Sequence, residues 1–503
     1  MRGLIALVPL PVLLSGLMAA SMMGPALHAL SQGAHAEGRA FLYSGLLLLA
    51  LVGAVALATA RTEPSRAGRG NLVALLSAYT LLPALAAVPF AMIAPPTTWL
   101  NAYFEMVAAM TTTGGSVFAA DALSPTAHLW RAFVAWQGGL VIWVAAVAIL
   151  APLNLGGLEV AEANTFRLSE REAEQRRISG SRRVARAATA LAPIYLGLTI
   201  LLWGLLVALG ESPTRGAILA MATLSTSGIT GGPGPEGTGA GYAGEAAIAA
   251  FLIFAVSRQT FAVDTTRNRV RNLARDRELA IAAAIAGSIT LGLFARHWIA
   301  AIEVGEGAAT GTALGALWGT AFTVLSFLTT TGFESASWGT ARAWSGLETP
   351  SVLLLGLAMF GGGIATTAGG VKLLRIFILY AHGRREMDLL IHPHSASSAR
   401  GLLRRIPPGG MEAAWVYFML FALTLAGVTM ALTAAGLGFA PALTLATAAL
   451  TTTGPLATVA SDGAAAFATL SDAAKAIAMV TMVIGRLEVL AVFAMIDPAF
   501  WRD

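Results

Sequence analysis

One short segment occurs four times in this chain, and it constrains the fold more than anything else in the sequence. It reads Thr111-Thr112-Thr113-Gly114-Gly115, Ser225-Thr226-Ser227-Gly228-Ile229, Thr329-Thr330-Thr331-Gly332-Phe333 and Thr451-Thr452-Thr453-Gly454-Pro455, with glycines spaced by 114, 104 and 122 residues. Each copy follows a short apolar stretch: Trp99–Met110, Gly216–Leu224, Thr312–Leu328 and Ala440–Leu450. All four stretches are shorter than the roughly 20 residues needed to cross a bilayer as a helix. One Thr-Thr-Thr-Gly would mean little in a chain with 54 glycines. Four copies in the same context define an internal repeat.

The setting is a membrane. The 503 residues are 56% hydrophobic and 12% charged, about half the charge of a soluble domain, and the mean hydropathy is +0.72. A water-soluble globule is excluded. With no cysteine, so are a disulfide-stapled domain and a thiolate metal site. Long apolar runs fall near Leu4–Met23, Phe41–Ala60, Leu72–Ala94, Leu129–Leu150, Ala187–Leu209, Ala243–Val263, Leu279–Ile302, Val352–Tyr380, Ala413–Ala435 and Ala473–Ile496. The first reads as a retained span and not a secretory signal, because Arg2 is its only charge, prolines stand at 9 and 11, and a second span follows closely.

Charge gives the orientation. Of the 32 basic residues, 23 lie in Arg61–Arg69, Arg167–Arg186, Arg258–Arg277 and Lys372–Arg405. By the positive-inside rule these segments are expected to be cytoplasmic. The short stretches then lie on the opposite side, and they read as re-entrant half-helices surrounded by protein or by a water-filled cavity.

The expected fold is an all-α polytopic membrane protein. Four tandem membrane–pore-loop–membrane repeats surround a central pore, and two extra N-terminal transmembrane helices precede them. The expected boundaries are 1–62 for the N-terminal pair and 63–160, 161–270, 271–400 and 401–503 for the repeats. Four units about a pseudo-fourfold axis would bring the four loops to one point.

Backbone that turns inside a membrane has spare carbonyls, and a ring of carbonyls can replace the hydration shell of a cation. Glycine tolerates the φ > 0 such a turn demands. A half-helix aiming its C-terminus at the loop adds partial negative charge. None of the four loops contains Asp or Glu, which argues for a monovalent ion over a divalent one.

With these segments in view, the chain resembles the TrkH/KtrB/HKT superfamily of potassium transporters from about Leu72 to Ile496. The two preceding spans resemble the N-terminal pair of the TrkH branch. The resemblance implies an ion selectivity filter of Thr112, Thr113, Gly114, Thr226, Ser227, Gly228, Thr330, Thr331, Gly332, Thr452, Thr453 and Gly454, with K+ held at Thr113, Ser227, Thr331 and Thr453. Members with serine at the first glycine pass sodium more readily, so Gly114 implies a preference for potassium. Pro455 departs from the other loops by removing a backbone donor.

Two further features point to a gate. The run from Val352 is interrupted at Gly361-Gly362-Gly363-Ile364-Ala365-Thr366-Thr367-Ala368-Gly369-Gly370, followed by Lys372. Five glycines in ten residues cannot sustain a helix, each costing about 1 kcal/mol relative to alanine. The resemblance identifies this stretch as an intramembrane gating loop, and irregular backbone at that depth should line a cavity. A phosphate-binding loop is disfavoured because no strand precedes it. Arg486 is the second feature: a charge deep in the last span is by default functional. The family has an arginine at this point, so Arg486 is expected to act as an electrostatic brake. Glu488, two residues on, is a poor helical partner for it. Glu105 reads as a capping or packing group, and His392 and His394 as polar surface.

No nucleophile–base pair or metal constellation appears, so no enzymatic reaction is expected. The leading expectation is potassium uptake through a gated, channel-like pore, with K+ as the transported ion (Rb+ as surrogate) and no cofactor. The alternative is a secondary transporter coupling a solute to sodium or protons, although such proteins usually show inverted repeats and charged broken helices. The resemblance further implies a bacterial cytoplasmic membrane, a homodimer and a cytosolic nucleotide-binding regulatory subunit of the TrkA type docking on the arginine-rich loops. Nucleic acid is not an expected partner.

Overall fold

The computed structural model describes residues 9–59, 68–150, 180–232, 239–257, 276–304, 310–346, 350–391, 410–459 and 467–496. Most arginines of the four basic segments, together with His392 and His394, lie outside the described residues. Within them every regular element is helical.

The N-terminal pair comprises α1 (Leu10–Ser21) and α2 (Met23–Ser31), which run on from each other, and α3 (His35–Thr59). The first repeat is α4 (Gly68–Ile93), α5 (Trp99–Met110) and α6 (Pro125–Ala145), which ends in a π-helical turn at Ala146–Leu150. The second is α7 (Gly180–Ala208), α8 (Pro213–Ser225) and α9 (Gly241–Val256). The third is α10 (Arg277–Val304), α11 (Thr310–Leu328), a short surface helix α12 (Trp338–Ser345), α13 (Ser351–Phe360) and α14 (Leu373–Ile391). The fourth is α15 (Gly410–Ala434), α16 (Phe439–Leu450), α17 (Asp472–Leu487) and α18 (Val489–Ile496).

Among the described residues seven helices are long and apolar enough to cross a membrane, and α17 with α18 makes an eighth span if that pair, bent by 101°, is counted as one. Peripheral helices expose leucine and methionine outward, with Leu57 80% and Met430 73% exposed, which suits hydrocarbon as solvent. Helix starts follow ordinary capping chemistry. Ser124 accepts from the Ala127 amide with Pro125 at the first position of α6, and Ser471 accepts from the Ala474 amide at the start of α17.

The packing is circular. Each half-helix (α5, α8, α11, α16) rests against the first span of its own repeat and the second span of the repeat before it. Thus α6 packs on α8, α9 on α11 and α13 on α16, and α17 closes the ring on α5. Glycine makes these contacts close. A Cβ on Gly138, Gly361 or Gly485 would run into the carbonyl that ends a half-helix, that of Met110, Leu328 or Leu450 respectively.

Two features differ from the sequence reading. The last span is not continuous but breaks at Glu488, whose φ is 68°. Arg375, counted above with Lys372 in the basic segment expected to be cytoplasmic, is buried, as is Lys372 at the end of the glycine-rich stretch. Neither is signalled by hydropathy, because one residue breaks the helix and the ion partner of Arg375 is 113 positions away.

Candidate functional site

The four Thr/Ser-Gly loops share one backbone design. In each, the first hydroxyl turns back onto its own half-helix: Thr111 onto Val107 O at 2.7 Å, Ser225 onto Met221 O at 2.8 Å, Thr329 onto Ser326 O at 2.9 Å and Thr451 onto Thr447 O at 2.8 Å. The second residue is left-handed, with φ of 54°, 53°, 56° and 53° at Thr112, Thr226, Thr330 and Thr452. The third residue's amide reaches five residues back, Thr113 to Ala108 and Thr453 to Ala448 at 2.8 Å, Thr331 to Ser326 at 2.9 Å and Ser227 to Ala222 at 3.0 Å. This is a Schellman-type helix end, but with threonine where glycine is usual. A β-branched residue at φ > 0 is strained by about 1–3 kcal/mol, and such strain concentrates at functional sites.

The amides are thus spent on the half-helix. Among the described residues the carbonyls of Thr112, Thr226, Thr330 and Thr452 accept no hydrogen bond from protein, nor do those of Ser227 and Thr331. All six residues are at most 1% exposed. Buried carbonyls are nearly always paired, so six unpaired together are a specific observation. Two of the third residues differ. The Thr113 carbonyl accepts from the Gly454 amide at 2.6 Å and the Thr453 carbonyl from the Leu456 amide at 3.1 Å.

The loops converge. Gly114, Gly228, Gly332 and Gly454 all line one cavity of about 290 Å³, which none of the residues of the glycine-rich stretch 361–372 lines. The fourth loop is the irregular one. Gly114, Gly228 and Gly332 have φ of 73°, 67° and 84°, whereas Gly454 is not left-handed. The ring of Pro455 sits where a Cβ on Gly332 would meet it at 2.9 Å.

Two buried acids brace these loops: Glu105, which the sequence reading took as a capping or packing group, and Glu245, which it did not single out. Glu105, on α5, accepts from the Val117 amide at 2.6 Å and Ser116 Oγ at 2.7 Å, and pairs with Arg131 Nε at 2.7 Å. Arg131 also donates to the Gly115 carbonyl at 3.3 Å. Glu245, on α9, accepts from Trp318 Nε1 at 2.6 Å and from Ser335 Oγ and the Ala336 amide at 2.7 Å. A lone acid in an apolar run is the available signal, and the sequence reading applied it to Glu105 alone.

The glycine-rich stretch 361–372 is non-helical and crosses beneath the ends of the half-helices. The Gly362 amide donates to Leu328 O at 2.9 Å and Gly363 to Ala255 O at 3.1 Å. Thr367 Oγ1 donates to Leu224 O at 2.9 Å, and the Gly369 amide to Thr330 Oγ1 at 2.8 Å. Gly369 lies against repeat four, where a Cβ would strike the Thr451 carbonyl and Thr452 Oγ1. Turns at Gly362 and Gly370, with φ of 83° and 73°, need glycine. The Lys372 ammonium folds back on the Ala368 carbonyl. Thr366 is buried with its Oγ1 on Gly363 O at 2.9 Å.

Arg486 meets this stretch. Its guanidinium donates to the Thr367 carbonyl at 2.7 Å, and the same carbonyl accepts from Thr226 Oγ1 at 3.0 Å. Glu488 is not its partner but pairs with Arg375 at 2.8 Å. The Arg375 guanidinium in turn lies 3.7 Å from the Tyr417 ring centre. The space left between Arg486, Gly369 and Lys372 is about 20 Å³, roughly one water.

Residues 310–500 match the TrkH family of cation transport proteins. A TrkH crystal structure from Vibrio parahaemolyticus superposes with a TM-score of 0.81 at 25% identity, covering 99% of both chains. In sequence and in fold the chain is thus similar to the TrkH branch over nearly its whole length. Among curated TrkH-branch relatives, the potassium uptake protein TrkH of Vibrio parahaemolyticus is 28% identical over 98% of each chain. The TrkI protein of Halomonas elongata is 28% identical over 84% of this chain and 82% of its own.

Proposed function

We propose that this chain takes up potassium through a gated pore whose filter is built by the four Thr/Ser-Gly loops. The observation that carries this reading is the set of buried carbonyls of Thr112, Thr226, Thr330 and Thr452, which have no protein hydrogen bond and stand at the C-terminal ends of four half-helices. These four supply the ring that replaces the hydration shell of K+. Ser227 and Thr331 add further carbonyls, while Thr113 and Thr453 share theirs with the fourth loop. The names of the relatives, Trk system potassium uptake proteins, support the ion assignment.

The gate is the 361–372 strap with Arg486. Together they block the inner side of the loops, and Arg486 opposes a cation that reaches it. The basic segments face the cytoplasm and the 290 Å³ mouth faces outward. The membrane is the bacterial cytoplasmic one, where an inside-negative potential drives entry by about 2.3 kcal/mol per 100 mV. The repeat boundaries 63–160, 161–270, 271–400 and 401–503 belong to this reading. So do a homodimer and a TrkA-type nucleotide-binding regulator on the cytoplasmic face.

The test is Rb+ tracer uptake into liposomes holding the purified full chain. Uptake that rises with an inside-negative potential and is outcompeted by K+ more than by Na+ is expected. Potential-independent uptake, or none in an Arg486→Ala protein that stays monodisperse, rejects the proposal.

A further inference from the structure

A large apolar chamber lies outside the pathway. Among the described residues it is a partly open chamber lined by α1, α3, α4, α6 with the turn that follows it, the first turns of α7 and Met110 of α5, and its volume is about 1030 Å³. Leu14, Leu49, Val52, Leu140 and Val144 are typical of its wall. The polar side chains on that wall are already satisfied. Gln137 bonds Ser21 at 3.0 Å, Thr189 bonds the Arg186 carbonyl at 3.0 Å and the Trp136 indole bonds Thr199 at 2.9 Å. A buried water needs two to four polar partners, and this wall offers it few.

Size and depth then narrow the occupant. The chamber is roughly seven times the ~150 Å³ of an apolar cavity that takes up one benzene, which gives room for about forty carbon atoms. Along α1 its wall runs from Leu10 to Ser21, about 16 Å at ~1.5 Å per residue. That is close to half of the ~30 Å hydrocarbon thickness, the depth of one leaflet. The end near Leu10 has its rim at the start of α7, where Val184 and Ala185 line the chamber, and by the positive-inside rule this is the side of the basic segments. The same two turns carry Arg183 and Arg186. The chamber is also kept open from the far side: Gly53 of α3 lines it, and a Cβ there would meet no atom within 4 Å.

We infer that this chamber is a binding site for a glycerophospholipid of the leaflet on the basic side. Two acyl chains fill the apolar space, and the phosphate stands at the rim that carries Arg183 and Arg186. Basic rims between membrane helices select anionic headgroups, so a phosphatidylglycerol is held over a phosphatidylcholine. The inference does not depend on what ion the pore passes.

Native mass spectrometry tests it, using the full chain taken from nanodiscs of equal phosphatidylglycerol and phosphatidylcholine. The wild type should retain one phospholipid per chain through delipidation, phosphatidylglycerol several-fold over phosphatidylcholine. Gly53→Phe should lower that retention at least tenfold, with Gly53→Leu as the smaller filler should the phenylalanine protein not fold. Gly24→Phe is the control: a Cβ on Gly24 would also meet no atom within 4 Å, yet this residue does not line the chamber. It should retain lipid as the wild type does. The Arg183→Gln/Arg186→Gln protein should keep the lipid and lose the headgroup preference. The inference is overturned by a wild type that retains no phospholipid, or that carries detergent or another apolar molecule instead. Full retention by a monodisperse Gly53-filled protein overturns it too, as does an unchanged headgroup preference in the arginine variant.

Discussion

The guanidinium of Arg486 and the main-chain carbonyl of Thr367 are 2.7 Å apart, a bond that ties the fourth repeat to the strap of the third. Both residues are buried, so this charge-assisted bond is not diluted by water. It is also a direct link between the two parts of the proposed gate.

Breaking this bond should favour an open strap. A hydrogen bond to a charged group contributes about 1.5–3 kcal/mol, which corresponds to roughly tenfold to a hundredfold in the closed-to-open ratio. Arg486→Ala is expected to raise Rb+ flux by that order, and Arg486→Lys by less. Unchanged flux in a folded Arg486→Ala protein would remove Arg486 from the gate.

The Arg375–Glu488 pair makes a stability prediction. Glu488→Ala removes the carboxylate that pairs with the buried Arg375 guanidinium, and removing one partner of a buried pair costs about 3–5 kcal/mol. Thermal unfolding in detergent should show a large loss for Glu488→Ala. The Arg375→Met/Glu488→Leu protein should recover most of it, because neither charge is then stranded. A double variant as unstable as the single one contradicts this account.

Glycines of the third repeat should divide by what lies beside them. Gly369→Ala drives a methyl group into the Thr451 carbonyl, so the strap must lift from repeat four. Gly356→Ala, on α13 with nothing within 4 Å, should keep wild-type flux and gain up to about 1 kcal/mol of helix propensity. Rb+ flux and melting temperature read both outcomes. Equal behaviour of the two variants would mean that the strap does not rest on repeat four.

The braces should differ in cost. Glu105→Gln removes the charge partner of the buried Arg131, which keeps only neutral carbonyls of the first loop, and should cost about 3–5 kcal/mol. Glu245→Gln keeps a carbonyl to accept the Ala336 amide and should cost about 1–3 kcal/mol. Both should lower the Rb+/Na+ uptake ratio by loosening the segments behind the filter glycines. Melting curves and dual-tracer uptake decide it, and an unaltered ratio in both variants would restrict the braces to stability.

The sequence carried the repeat, the half-helices and the glycine strap because each is a local pattern of hydropathy or glycine density. The half-helix Trp99–Met110 even has the expected ends. What it did not carry is non-local. That the Gly454 amide would take up the Thr113 carbonyl depends on loops about 340 residues apart in sequence. The break at Glu488 and the burial of Lys372 and Arg375 are likewise settled by neighbours from other repeats. Left-handed threonine at all four loops runs against propensity, and only the assembled packing imposes it.

Four near-equivalent units on one polypeptide also have a consequence for the strap. A pore made from identical subunits must present every feature four times, and four straps of this length could not share one axis. Tandem repetition lifts that obligation. Among the described residues only the third unit has a glycine strap and only the fourth offers an arginine to hold it, so the proposed closing device is asymmetric inside a nearly symmetric ring. Each part could diverge without disturbing the other three filter loops, a freedom that a homotetramer does not have.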